Sequence, residues 1–214
     1  MKGMKKTNKL VRIIMPAKNE EKNLRILLPK LKDFKVTIVD DNSSDNTSKI
    51  AKKYNASIIR NEQSIGPSLS IEKALKTTKE SIIILMDSDN EHNPEDIPRF
   101  LKSLKKNDAV FGRREIIPRI SEKMLSKLSS KKGIHDLFCG FVCFKKEVYE
   151  RIGYFEKENT FGAEFKLNCV KHKFKISEIK IKSRRRKNPR IGNNLKANLK
   201  ILKTGFRLYK KLLF

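Results

Sequence analysis

The sequence has few acidic residues, no long apolar runs and an odd number of cysteines. Only 24 Asp and Glu stand against 50 Lys and Arg, which gives the 214-residue chain a formal net charge of +26. No apolar run approaches the roughly 20 residues that cross a bilayer, and the basic segment MKGMKKTNKL has no apolar segment behind it, so we expect neither a membrane span nor a signal peptide. Cys139, Cys143 and Cys169 are odd in number and match no zinc spacing, which indicates a reducing cytosol.

Two common nucleotide-binding motifs are also absent. The loop after the first predicted strand contains no glycine, so it is not a G-x-G-x-x-G dinucleotide fingerprint. No G-x-x-x-x-G-K-[ST] segment exists, which excludes a P-loop. A nucleotide bound by this chain would therefore be held without a glycine cradle, with a divalent ion bridging its diphosphate.

Continuous apolar segments alternate with helical patterns along the chain. The predicted strands include LVRIIM, KVTIVDD, ASIIRN and SIIILMDSD, and helical patterns such as GPSLSIEKALKTT separate them. Strands that are apolar on both faces and separated by helices are typical of a parallel sheet covered on both sides. The sequence therefore predicts an α/β fold with a mostly parallel central sheet flanked by helices.

Carboxylates gather where three of the predicted strands end. They are Glu20, Asp40, Asp41, Asp87, Asp89 and Glu91. In an open α/β sheet, ligands bind outside the carboxyl ends of the strands. Side chains two positions apart leave a strand on the same face, and hard oxygen ligands favour Mg²⁺ or Mn²⁺. A capped loop explains the D-x-D pattern equally well when the pattern is considered alone.

Four segments together resemble family 2 glycosyltransferases of the GT-A fold. They are IIMPAKNEEKNL, VTIVDDNSSDNT, GPSLSIEKAL and IIILMDSDNEHNPEDIPRFL, in this order and spacing. The later segments AVFGRR, HDLFCGFVCFKKEVYERI and RRRKNPRIGNNLK resemble the branch that contains dolichyl-phosphate (polyprenyl-phosphate) mannosyl- and glucosyltransferases. The resemblance implies a GT-A nucleotide-diphospho-sugar transferase domain over residues 1–192. The pattern of the remaining residues, 193–214, predicts a basic amphipathic C-terminal helix after it.

The resemblance also implies roles for individual residues. Those implied to bind the nucleotide sugar are Pro16, Lys18, Glu20, Val39, Asp41, Ser88, Asp89, Arg114 and Arg190. Those implied to hold Mg²⁺ or Mn²⁺ are Asp87, Asp89 and Glu91, and those implied in catalysis are Asp89, Arg114 and Asp136. Arg114 would face the donor diphosphate, and Arg113 beside it could exchange roles with it. Asp136, Cys139 and Gly140 match a segment that lines the acceptor side.

The implied reaction is an inverting transfer of mannose or glucose from a nucleotide-diphosphate sugar to a polyprenyl phosphate. A lipid monophosphate is already anionic at neutral pH, so it needs positive charge rather than a general base. The alternative acceptor is a sugar hydroxyl of a surface glycan, which does need a base. Asp136, next to His135, is the candidate for that base, although an Asp that caps a loop beside an exposed His is the simpler interpretation.

The C-terminal region is strongly basic and has a helical apolar stripe. Seventeen Lys and Arg accompany one acid, Glu178, between Phe165 and Phe214. The stripe consists of Leu195, Leu199, Leu202, Phe206, Tyr209 and Leu213, and basic residues follow it one position on. This pattern favours a helix lying on an anionic membrane surface, which would place the protein peripherally on the cytoplasmic face. Packing on the body of the protein or on a membrane partner subunit is the alternative.

Nucleic-acid binding is a remote alternative. The pI of about 10.1 and the segment KSRRRKNPR suggest a polyanionic partner. No recognised nucleic-acid module is present, and the acid cluster at the strand ends would repel phosphate without a metal. We therefore expect a nucleotide sugar and a lipid phosphate as partners, and no nucleic acid.

Overall fold

The computed structural model describes residues 8, 10–157, 160, 162–184 and 195–213. Within these residues the strands are β1 Val11–Ala17, β2 Lys35–Asp40, β3 Ser57–Arg60, β4 Ile82–Leu85, β5 Ala109–Arg114, β6 Val142–Lys145 and β7 Ile176–Ile181. The α-helices are α1 Glu21–Leu27, α2 Thr47–Lys53, α3 Pro67–Thr77, α4 Ile97–Leu104, α5 Ile120–Ser130, α6 Lys146–Ile152, α7 Ala163–Lys171 and α8 Leu195–Leu213. Short 3-10 turns at Leu28–Leu31 and Pro94–Asp96 extend α1 and precede α4.

The strands form one sheet in the order β3-β2-β1-β4-β6-β5-β7. All neighbouring pairs are parallel except those made by β6, which runs antiparallel to both β4 and β5. The predicted α/β fold with a mostly parallel sheet is thus confirmed. Val142 pairs with Leu85, so β6 begins beside the end of β4. This register brings the residues just before β6 next to the D-x-D segment that follows β4.

Alternating side chains of the central strands build a core on each face of the sheet. Ile13 and Met15 of β1 pack in one apolar cluster, which includes Leu24 of α1 and Phe100 of α4. Ile14 packs in the other cluster, together with residues of α3 and α7. Because both faces are covered, the central strands are apolar throughout, as a buried parallel sheet requires.

Three asparagines shape the loops at the carboxyl edge of the sheet. Asn19, Asn42 and Asn90 follow β1, β2 and β4, and their φ angles are 55°, 60° and 65°. Asn is one of the few residues other than Gly that adopts this left-handed conformation at low cost. Each loop therefore turns sharply just past its strand, which keeps the adjoining acidic side chains at the edge of the sheet.

The C-terminal helix α8 packs on the body of the protein. The Asn198 side chain accepts hydrogen bonds from the backbone and hydroxyl of Ser121, at 3.2 and 2.7 Å, at the start of α5. Further along, Gly205 is buried against Leu125 of α5. Among the described residues, no helix is long and apolar enough to cross a membrane. The division of the chain at residue 192 stays a prediction.

Candidate active site

A cleft opens at the carboxyl ends of β1, β2 and β4, where parallel α/β sheets bind ligands. Among the residues implied by the sequence, those that line it are Pro16, Lys18, Glu20, Asp41, Asp87, Ser88, Asp89, Glu91 and Arg114. The Ser88 hydroxyl donates to the Pro16 carbonyl at 2.7 Å, which joins the loop after β4 to the end of β1. Nine of the predicted residues therefore lie together on one surface.

Asp41 forms one wall of the cleft and holds the loop before α3. Its carboxylate accepts hydrogen bonds from Asn61, from the Ser64 hydroxyl and from the backbone amides of Ile65 and Gly66, at 2.7 to 3.1 Å. Burial opposes ionisation, but these donors outweigh it and lower the pKa of Asp41. Asp41 is thus an anion that fixes the shape of this wall.

Asp87 lies between a buried histidine and a glycine. Its backbone amide donates to His92 Nδ1 at 3.3 Å, and His92 Nε2 lies 3.7 Å from Asp87 Oδ2. Burial is the main reason why the pKa of His92 falls to about 4, so its ring is neutral at physiological pH. On the other side, Gly140 approaches the carboxylate so closely that a Cβ there would lie 2.6 Å from Oδ2. The neutral ring and the glycine together define where this carboxylate can sit.

The acidic loop after β4 provides oxygen ligands suited to a divalent ion bound with a diphosphate. Asp89 Oδ1 accepts the Glu91 amide at 3.0 Å, which shapes the loop. No group of three or more His, Cys, Asp or Glu side chains is arranged as a metal site in the described part of the chain. Mg²⁺ is commonly held by one or two carboxylates plus substrate phosphates rather than by an all-protein cage. The carboxylates of Asp87 and Asp89 in the cleft fit that mode of binding.

Arg114 ends β5 and lines the same cleft as the acidic loop. Its Nε and Nη2 donate to the two oxygens of Asp136 at 2.8 Å each, and Nη2 also donates to Glu122 at 2.8 Å. Glu122 in turn pairs with Arg119. Burial disfavours the charged guanidinium, but Asp136 and Glu122 outweigh it and raise the pKa of Arg114. Arg114 is therefore a rigidly oriented cation at the cleft.

The segment that follows β7 returns to the acidic loop. The Arg184 amide donates to the Glu91 carbonyl at 2.9 Å, and its guanidinium donates to Asn90 Oδ1 at 3.1 Å. The basic segment that begins here thus starts beside the D-x-D loop. Arg190, implied by the sequence to close over the phosphates, lies outside the described residues.

A family model described as "Glycosyl transferase family 2" matches residues 12–159, which is more than half of the chain. The chain belongs to glycosyltransferase family 2. The matched stretch contains every lining residue of the cleft from Pro16 to Phe155. Membership of the family confirms that the protein is a transferase.

Three relatives of this family 2 glycosyltransferase place it among archaeal and bacterial proteins. An uncharacterized protein of Methanocaldococcus jannaschii is 38% identical over 177 residues, covering 70% of this chain and 74% of that protein. A dolichol-phosphate mannosyltransferase of Pyrococcus furiosus is 27% identical, covering 66% of this chain and 48% of that protein. An undecaprenyl-phosphate 4-deoxy-4-formamido-L-arabinose transferase of Aeromonas hydrophila is 25% identical, covering 72% and 54%. The chain thus spans about half the length of these two named transferases.

Solved structures share the fold of this glycosyltransferase. Glucosyl-3-phosphoglycerate synthase from Mycobacterium tuberculosis in complex with phosphoglyceric acid superposes with a TM-score of 0.76 at 16% identity, covering 99% of this chain and 82% of that chain. The same enzyme in complex with Mn²⁺, uridine diphosphate and phosphoglyceric acid gives a TM-score of 0.75 at 15% identity, covering 96% and 80%. At such identities the likeness establishes the GT-A fold and nothing finer.

Two residues implied by the sequence do not face the cleft of the glycosyltransferase. Val39 is fully buried in the core, so its side chain cannot touch a nucleotide. Asp136 is fully buried as well, and both its oxygens accept hydrogen bonds from Arg114. This placement corrects the expectation that Asp136 contacts an acceptor as a base, because a sheltered carboxylate bound to a guanidinium cannot reach a hydroxyl. Its carboxylate instead holds the guanidinium of Arg114 in place.

Sequence reasoning missed His92, Glu122 and Arg119 as parts of the site. His92 follows the acidic segment directly, and that position was a usable signal. Glu122 and Arg119 offered none, because they lie on a basic helical pattern typical of a solvated surface. They enter the site because α5 packs beside the cleft, which only the tertiary structure reveals. Of the two adjacent arginines, Arg114 lines the cleft, whereas Arg113 is not among the lining residues.

Proposed function

We propose that this glycosyltransferase transfers mannose or glucose, with inversion, from a nucleotide-diphosphate sugar to a polyprenyl (dolichyl) phosphate at the cytoplasmic membrane face. The observation that carries the proposal is the largely buried Arg114–Asp136 pair, whose Arg114 lines the same cleft as Asp87 and Asp89. This arrangement provides a fixed cation and oxygen ligands where a diphosphate leaving group needs both. The names of the Pyrococcus and Aeromonas relatives support a lipid-phosphate acceptor.

The residues of the cleft divide the donor between them. The base and ribose are enclosed by Pro16, Lys18, Glu20 and Asp41, and Ser88 lies at the bottom of the cleft between them. Asp87 and Asp89 would supply the protein ligands for Mg²⁺ or Mn²⁺, with Glu91 lining the cleft beside them, and the ion would neutralise the charge of the leaving diphosphate. The Nη1 atom of Arg114 makes no hydrogen bond within the described residues, so it is available to a diphosphate oxygen. A preorganised donor of this kind stabilises charge that develops in the transition state.

The condition of Asp136 favours a phosphate acceptor over a hydroxyl. Burial opposes its ionisation, but Arg114 outweighs burial and lowers the pKa of Asp136. A carboxylate held in this way is a weak base, and it has no exposed oxygen to offer an acceptor. A phosphate monoester requires no proton removal before attack. The absence of an accessible base at this position therefore costs nothing if the acceptor is a lipid phosphate.

The helix α8 has two faces, which supports both sequence interpretations of its apolar stripe. Leu195 and Leu199 are 77% and 56% exposed, whereas Gly205 and Leu208 are buried against the body. The helix therefore packs on the protein through one face and presents aliphatic side chains to solvent through the other. Phe206 is also exposed on this helix. The predicted role of the exposed face is to lie on an anionic membrane surface.

The neighbouring helix α5 extends this surface. Its exposed residues are Ile120, Lys123, Met124 and Lys127, and no acid is among them. Aliphatic and basic residues side by side are the combination that binds the interface of an anionic bilayer. Arg119 of the preceding loop and Ile201 of α8 both line the cleft. A membrane bound by α5 and α8 would therefore lie next to the acceptor side of the active site.

Sugar transfer is the test of the reaction. The protein is incubated separately with labelled GDP-mannose, UDP-glucose and UDP-GlcNAc, together with polyprenyl phosphate and Mg²⁺ or Mn²⁺. We expect organic-phase label with GDP-mannose or UDP-glucose, and its loss on chelation or in Asp89→Ala. Label that persists in Asp89→Ala would contradict the assigned metal role. Nucleotide binding without lipid-linked label would move the acceptor to a hydroxyl.

Vesicle co-sedimentation tests the membrane surface separately. We expect the protein to bind phosphatidylglycerol vesicles, to bind phosphatidylcholine vesicles weakly, and to be released by salt. The double variant Ile120→Gln/Leu199→Gln should lose most of this binding. Ile26→Gln is the matched control, because Ile26 is also exposed but lies on α1. Equal loss in the control would show that the effect is not specific to α5 and α8.

A further inference from the structure

A fully buried lysine lies directly behind the Arg114–Asp136 pair. Lys166 of α7 donates from Nζ to the Asp136 carbonyl oxygen at 2.9 Å. The same Nζ lies 5.3 Å from the centroid of the Phe111 ring. Burying an ammonium group costs several kcal/mol unless charges and hydrogen bonds compensate. Within the described part of the chain, one hydrogen bond and one ring contact satisfy only part of a group that has three donors, so packing alone does not account for a lysine here.

The charges around Arg114 indicate what Lys166 contributes. We call Arg114, Arg119, Glu122 and Asp136 the Arg114 cluster. Its two guanidinium groups are paired with its two carboxylates, and the nearby Glu178 carboxylate, which accepts the Asp136 amide at 3.1 Å, leaves these charges negative overall. Lys166, which does not line the cleft, adds the positive charge that offsets Glu178. Because the surroundings are buried, this charge is screened far less than a surface lysine would be.

We propose that Lys166 is a positioning residue for the donor diphosphate. Through the Asp136 carbonyl it fixes the segment that holds the Arg114 guanidinium, and its charge offsets the Glu178 carboxylate, so that the positive charge of Arg114 is not cancelled towards the cleft. The proposal rests on the proposed function, because it takes the donor diphosphate as the ligand of Arg114. Lys166 itself does not line the cleft and acts through Asp136 and Arg114.

The protonation of Lys166 gives the proposal a pH signature. Burial lowers the pKa of Lys166, and the positive charge of Arg114 lowers it further. The nearby Cys139, Asp136 and Glu178 act in the opposite direction and raise it. Below that pKa the ammonium is charged and offsets the Glu178 carboxylate. As the pH rises through the pKa of Lys166, the positive charge is lost and diphosphate affinity falls. This fall occurs at a lower pH than the titration of exposed lysines. The Cys139 thiol stays neutral over this range, because burial raises its pKa to about 11.

Isothermal titration with nucleotides tests the proposal without sugar transfer. UDP and GDP are titrated in the presence of Mn²⁺ into the wild type, Lys166→Met and Lys166→Arg, well below each melting temperature. Uridine and guanosine serve as ligands that lack the diphosphate. Lys145→Met is the matched control, because Lys145 pairs with Asp108 at the end of β6 away from the cleft. Lys166→Gln replaces Lys166→Met if the latter does not fold.

We expect Lys166→Met to weaken diphosphate binding roughly tenfold, which corresponds to about 1.4 kcal/mol, and to leave nucleoside binding unchanged. Lys166→Arg should retain most of the affinity, and only the wild type should show the fall at alkaline pH. A Lys166→Met affinity equal to the wild type, or an equal loss for nucleosides, would overturn the proposal. If the wild type binds neither UDP nor GDP, the proposed function and the role proposed for Lys166 both fail.

Discussion

The close approach of Gly140 to Asp87 gives a prediction that can be worked out from distances. In Gly140→Ala, the new Cβ would lie 2.6 Å from Asp87 Oδ2, 3.0 Å from Oδ1 and 3.1 Å from Cγ. Gly140 is not among the glycines with positive φ, so alanine fits its backbone. The conflict is therefore confined to the Asp87 carboxylate.

The magnitude follows from how far that carboxylate must move. An ordinary contact of 3.4 Å requires Oδ2 to shift by about 0.8 Å. Asp87 is half exposed, so the shift should cost less than the roughly 1–3 kcal/mol of a core overpacking. Metal ligands, however, tolerate only about 0.2 Å, and a misplacement of about 1 Å at a reacting centre costs roughly a hundredfold in rate. We expect a transfer rate reduced about ten- to a hundredfold with nearly unchanged stability.

The assay compares transfer rate at increasing Mn²⁺ concentration with the thermal unfolding of the same samples. A double-mutant cycle with Asp87→Ala isolates the contact, since Gly140→Ala should add no further loss once the carboxylate is gone. A wild-type rate in Gly140→Ala would refute the reasoning. So would a penalty that persists in the Asp87→Ala background, because the clash would then lie elsewhere.

Three further predictions concern stability and reactivity. Gly205→Ala should destabilise the protein by about 1–3 kcal/mol in thermal unfolding, because its Cβ would overlap Leu125, and this penalty should be smaller when it is measured in a Leu125→Ala background. Burial opposes the ionisation of Glu80, but hydrogen bonds from Arg12 and Lys35 outweigh burial and lower the pKa of Glu80 to about 2. The stabilisation that ionised Glu80 gives to the fold is therefore complete above pH 4.5 and is lost as the pH falls towards 2. Glu80→Gln should therefore cost at most about 3 kcal/mol at neutral pH and flatten that part of the acid-unfolding curve. Because the thiols of Cys139, Cys143 and Cys169 are buried, a thiol reagent should label the native protein slowly and the denatured protein at three sites. Rapid labelling of the native protein would refute this expectation.

Local periodicity predicted most of the fold but could not give the direction of β6. The segment FCGFVCF is apolar enough for a strand, and nothing in it distinguishes a parallel from an antiparallel neighbour. The direction is decided by where the chain enters the sheet, and Val142 enters beside the end of β4. The same geometry places Gly140 on Asp87, a contact between residues far apart in the chain. Such contacts leave no local pattern to read.

The site was predictable to the extent that it depends on strand ends. Asp41, Asp87 and Asp89 follow apolar segments, so the parallel sheet places them at one edge. Asp136 illustrates the limit, because its partner Arg114 is 22 positions away and the sequence gives no sign that the two would pair. A motif match assigned Asp136 to the acceptor side, and its burial was visible only in the packed structure.

The double use of α8 limits how attachment and catalysis can be separated in experiments. Ile201 forms part of the cleft wall, while Leu199, two positions earlier, is exposed. Two positions on a helix differ by about 200°, so the two side chains serve opposite faces. Deleting the helix would therefore open the binding cleft as well as remove the exposed stripe. Only substitutions confined to the outer face of α8 can distinguish an enzyme that has lost its exposed apolar stripe from one whose cleft has been disrupted.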